Sequence, residues 1–96
     1  MRQVYIVSYD ICDPRRLRRV YKVMRGWGDH IQYSVFRCEL NHRELVELRR
    51  DLAAEINTVE DQVLFVDLGP VGGRGDEVIT SMGKLYHPPE RLAVVV

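Results

Sequence analysis

Residues 4–14 read Val4-Tyr5-Ile6-Val7-Ser8-Tyr9-Asp10-Ile11-Cys12-Asp13-Pro14, and this stretch decides the fold. It begins with β-branched and aromatic residues and runs to a carboxylate at Asp10, the pattern of a short, buried central strand. Asp13-Pro14 then opens a helix: Asp is a favoured N-cap, and Pro suits the first helical position. Leu17, Val20, Tyr21 and Met24 recur at helical spacing and predict a core-facing stripe. Gly26-Trp27-Gly28 stops the helix. The run from Ile31 to Leu40 is strand-like but long for one strand, so a bend or split is expected near Tyr33 or Ser34. Asn41 with Glu44 three residues on resembles a capping box, and Leu45, Leu48, Leu52 and Ile56 mark a second amphipathic helix. Gln62 to Leu68 is a further strand, halted by Gly69-Pro70. Val71 to Asp76 reads as a glycine-rich turn and Val78-Ile79-Thr80 as a short edge strand. The order is a β-α-β(β)-α-β chain, which predicts an α+β ferredoxin-like sandwich (βαββαβ) over residues 1–96 as one domain. The apolar tail Leu92-Ala93-Val94-Val95-Val96 predicts an extra C-terminal strand over 88–96 that docks on a partner subunit.

Composition narrows the functional classes. The chain has 96 residues, 46% hydrophobic and 29% charged, an ordinary globular balance that excludes a disordered or collagenous chain. No run approaches the ~18 apolar residues of a membrane span, and the N-terminus lacks a cleavable signal pattern. The expectation is a cytoplasmic protein without membrane contact. Cys12 and Cys38 lack C-x-x-C spacing and read as free thiols. Net charge is zero, yet residues 1–50 hold eleven Lys/Arg against six Asp/Glu, and residues 51–96 hold three against eight. Twelve of the fourteen basic residues are Arg, which forks onto phosphate bidentately. Such asymmetry points to a charged partner.

Two features carry chemistry. Asp10 stands where a buried strand leaves the core, a good position from which to bind a hard cation through oxygen. A two-fold dimer would bring a second copy of it; the plainer alternative is that Asp10 only caps the turn before Asp13-Pro14. The cluster Arg15, Arg16, Arg18, Arg19 and Lys22 lies on the first helix, and Arg15, Arg18, Arg19 and Lys22 share a face opposite the apolar stripe. No acid lies one turn further on to pair with them, so the face suits a phosphate backbone better than a solvated surface. Other features are weaker. His30, His42 and His87 have no zinc-pair spacing. Gly72-Gly73-Arg74-Gly75 lacks the rest of a phosphate-loop motif. Tyr33 and Phe36 lack the basic-Gly-aromatic run of RNA-recognition sheets. A small-molecule-sensing regulator would need a polar pocket that the sequence does not display.

Val7-Ser8-Tyr9-Asp10-Ile11, the Arg-rich first helix and Gln32-Tyr33-Ser34-Val35-Phe36 leading to Glu39-Leu40 together resemble the small CRISPR-associated protein of the spacer-adaptation module, the Cas-two family. The resemblance spans about residues 3–68. It implies antiviral defence, a homodimer, partnership with the CRISPR integrase, and a metal-dependent endonuclease activity on double-stranded DNA or single-stranded RNA. Asp10 matches the family's metal ligand, with one Mg²⁺ shared by two Asp10 across the dimer axis. The rival function is a non-catalytic scaffold that braces duplex DNA for the integrase. Arg37 and His30 depart from the family's pattern.

Overall fold

The computed structural model describes residues 1–88. Its elements are β1 (Gln3–Asp10), α1 (Pro14–Arg25), β2 (Asp29–Gln32), β3 (Val35–Leu40), α2 (His42–Ala53) and β4 (Gln62–Pro70). The sheet runs in the order β2-β3-β1-β4 with every neighbouring pair antiparallel. This is the ferredoxin-like α+β arrangement. β1 is central: Val7 stands opposite Phe36 on β3 and Phe65 on β4.

Local chemistry sets the boundaries. The Asp13 carboxylate accepts from the Arg15 and Arg16 amides at 3.0 and 2.9 Å, with Pro14 next to it, so α1 starts there. Gly28 follows α1 where backbone and side chain crowd together. A Cβ at this position would sit 2.5 Å from Cys38 Sγ and 2.6 Å from the Arg37 carbonyl oxygen, so only glycine lets the chain turn this close to β3. At α2, Asn41 Oδ1 accepts from the Glu44 amide at 2.8 Å and Glu44 Oε1 accepts from the Asn41 amide at 2.9 Å, completing the capping box. The expected break at Tyr33 and Ser34 is a turn between β2 and β3, with Tyr33 at φ +35°.

Period-two alternation divides the sheet into two faces. Val7 and Tyr9 of β1 and Phe36, Cys38 and Leu40 of β3 face Val20 and Met24 of α1 and Leu48 and Leu52 of α2, forming the buried core. The opposite face carries Ile6, Ser8, Asp10, Val35, Arg37 and Glu39. Leu64 and Val66 on β4 also lie away from the core and are 52% and 49% exposed. Residues 71–88 cross part of this face. Gly75 packs against Val4 and Leu68, and Asp76 pairs with Arg37.

Two expectations need correction here. Val78-Ile79-Thr80 is not a strand. The Glu77 and Val78 amides both donate to the Arg74 carbonyl and coil the chain, while Arg37 anchors Asp76 just before it. Leu17, expected in the core stripe, is 38% exposed; it lies in the first turn of α1, where the stripe reaches the rim. The tail strand expected at 88–96 lies, from residue 89 onward, outside the described residues.

Candidate nucleic-acid interface and metal-ligating carboxylate

Asp10 ends β1 opposite Gln62 of β4, and it is exposed. Alternation with buried Val7 and Tyr9 places it on the sheet face away from the helices. Among the described residues no hydrogen bond or ion pair engages its carboxylate. The turn that follows is held by other acids. Asp13 caps α1, and Asp61 accepts from the amides of Cys12 and Asn57 at 2.9 and 2.8 Å. Asp10 is therefore not the cap of that turn.

Asp61 also engages Arg16, with Nε donating to Oδ2 at 2.8 Å and Nη2 to Oδ1 at 3.1 Å. Glu60 adds a longer contact to the same guanidinium at 3.4 Å. The Asp61 side chain is fully buried. The Arg16 guanidinium, and then the two backbone amides, hold its carboxyl well below the usual carboxylate range. Arg16 thus joins α1 to the loop before β4. Its guanidinium is spent on acids, which separates it from the rest of the basic cluster.

Arg15, Arg18, Arg19 and Lys22 remain together. All four are exposed and line one surface depression of about 290 Å³ on α1. Among the described residues none of the four is in a salt bridge. They present a cationic strip beginning five residues after Asp10 in the chain.

The neighbouring titratable groups are poor catalysts. Burial raises the Tyr9 hydroxyl, so it stays protonated at neutral pH. Burial likewise pushes the Cys38 thiol up to about 12, leaving it a packing residue without thiolate character. Phe36 is fully buried, whereas Tyr33 is 88% exposed.

The described residues contain no cluster of three or more His, Cys, Asp or Glu side chains able to hold a metal. Mg²⁺ commonly retains water and takes only one or two carboxylates, with substrate phosphates completing its shell. Asp10 is a single exposed carboxylate of the kind such a shell uses.

The geometry defines a ferredoxin-like α+β protein with a cationic helix and an exposed carboxylate at the end of its central strand. The family model for CRISPR associated protein Cas2 matches residues 2–71. A relative from Geobacter sulfurreducens named CRISPR-associated endoribonuclease Cas2 is 42% identical over 96 residues, the whole of both chains. One from Rhodospirillum rubrum, named CRISPR-associated endoribonuclease Cas2 1, is 39% identical over 92 residues, covering 96% of this chain and 89% of that protein. Among solved structures, Streptococcus pyogenes Cas2 superposes with a TM-score of 0.70 at 30% identity, covering 82% of this chain and 99% of that one. A hypothetical protein from Thermus thermophilus gives 0.77 at 28% identity, covering 93% and 100%. The chain belongs to the Cas2 family. No helix among the described residues is long and apolar enough to cross a membrane.

Proposed function

We propose that this chain is a divalent-metal-dependent endonuclease of the CRISPR adaptation module, acting on a phosphodiester backbone as a homodimer. The observation that carries the proposal is the Asp10 carboxylate: it is exposed at the end of a buried strand and takes no part in the turn beside it. The names of the relatives point to RNA as substrate. Asp10 would hold a divalent cation, which when bound would supply Lewis-acid activation of water and offset charge on the scissile phosphate. Asp10 contributes a negatively charged oxygen to that cation. Arg15, Arg18, Arg19 and Lys22 hold flanking phosphates and so fix the strand's position. The protonated Tyr9 hydroxyl is a donor and not a base.

Two features support a homodimer. Leu64 and Val66 expose apolar surface on the sheet face that also carries Asp10, and β4 is an edge strand among the described residues. A two-fold axis through this face would bring two Asp10 side chains into one Mg²⁺ site. Light scattering should give twice the 11.2 kDa chain mass; a monomer across the micromolar range would count against the shared site.

A second function, a DNA-bracing scaffold for the CRISPR integrase, is favoured by the strip of four cations that are in no salt bridge among the described residues. It can coexist with hydrolysis. Replacing Arg15, Arg18 and Arg19 with Ala should weaken binding to all sequences alike. It should also flatten the slope of log affinity against log salt by roughly 0.9 for each phosphate that is no longer neutralised. Fluorescence anisotropy over a salt series measures both, and an unchanged slope would show that these arginines do not meet the backbone.

A further inference from the structure

A cleft of about 530 Å³ opens beside the cationic strip, between α1 and the β2–β3 turn. Leu17, Tyr21, Tyr9 and Tyr33 give it a mainly apolar wall, and Arg18 and Lys22 form its rim. Those two cations also line the strip, so a phosphate site and an apolar slot share an edge. We propose that this cleft receives one unpaired nucleobase of a single-stranded nucleic acid, with Tyr33 as the stacking platform and Arg18 and Lys22 gripping the adjoining phosphates.

Tyr33 is presented outward by its backbone. Its φ of +35° is a conformation that bulky residues seldom adopt, and the turn is pinned at two points. His30 Nε2 donates to the Tyr33 carbonyl at 2.5 Å, and the Tyr9 amide donates to the Ser34 carbonyl at 3.1 Å. The His30 ring in turn contacts Tyr21 and Phe36, with centroids at 5.5 and 4.9 Å. These bonds fix the backbone beneath Tyr33, and its ring, 88% exposed above an apolar wall, is open to a base.

Charge complementarity selects the occupant. An apolar peptide would leave Arg18 and Lys22 without a counter-charge, whereas a nucleotide brings a flat apolar face and an anion at adjacent positions. Duplex DNA keeps its base faces stacked on one another, so only an unpaired or extruded base can enter. The cleft lies on the helix-bearing side, away from the sheet face assigned to the dimer. The inference rests on the phosphate-binding role proposed for the strip.

Its test uses a short single-stranded DNA and the same strand with abasic residues, both in EDTA so that nothing is cleaved. The native protein should bind the base-bearing strand about five- to 150-fold more tightly. Tyr33→Ala should abolish that preference and Tyr33→Phe should keep it, with binding of the abasic strand and the salt slope unchanged in both. A 2-aminopurine in the strand should be quenched by the native protein and by Tyr33→Phe only. Equal native affinity for the two strands, or a preference that survives Tyr33→Ala, overturns the base site and leaves the strip standing. Failure of the native protein to bind either strand removes the strip, and the base site with it.

Discussion

Arg37→Met is expected to destabilise the protein by about 3 kcal/mol, the lower end of the range for breaking a buried ion pair from one side. The Arg37 side chain is 4% exposed. Its Nε and Nη2 donate to the two oxygens of Asp76 at 2.7 and 2.9 Å, and Nη1 donates to Glu39 at 2.7 Å. These bonds raise its pKa against the opposing effect of burial. Met keeps the volume of the stem and withdraws the cation from two carboxylates. The cost falls at the lower end because the Asp76 side chain is 35% exposed and keeps part of its hydration. A domain of this size has only about 5–15 kcal/mol in total, so Tm should fall by more than about 12 °C. Urea melts would give the free energy directly. A loss under about 1 kcal/mol would mean that residues 71–88 are held to the sheet by packing such as Gly75 on Val4, and not by this ion pair.

Arg37 also shows what the sequence could and could not disclose. It stood out as a departure from the family pattern, but its partner lies 39 residues away on a segment with no regular structure. Features governed by near neighbours were legible. Asp13-Pro14 at the start of α1 and the Asn41–Glu44 box depend on contacts within four residues. Features governed by distant partners were not. Arg16 looked like its neighbours on α1 because nothing local reveals Asp61, 45 residues on. Val78-Ile79-Thr80 has β-prone side chains, yet a turn beginning at Arg74 and the tether at Asp76 leave those residues no strand to pair with. Leu17 satisfies the helical period, and only the position of the sheet edge shows that its turn overhangs the rim. The exposed Tyr33 and buried Phe36 are three residues apart in similar sequence; the turn geometry separates a surface ring from a core ring. Asp10 was legible as a strand-end carboxylate. The second carboxylate of its proposed site comes from another copy, and one chain's sequence can only imply that.

Asp10→Asn should lower hydrolysis by at least about a hundredfold, since a cation's stabilisation of developing charge amounts to several kcal/mol. Asn preserves the shape of the side chain and removes the negative charge that a hard cation requires. The fold should not respond, because no hydrogen bond or ion pair among the described residues engages the Asp10 carboxylate. The variant should therefore retain the native melting temperature, the dimer mass and the affinity for duplex DNA set by the α1 strip. EDTA should reproduce its phenotype in the native protein. Undiminished hydrolysis by the variant would place the chemistry at another site or in a contaminant. Loss of the dimer together with hydrolysis would make Asp10 an interface residue. Loss of hydrolysis alone, with dimer and DNA binding intact, separates the two functions at one atom pair: the carboxylate serves cleavage, and the arginines serve binding whether or not cleavage occurs.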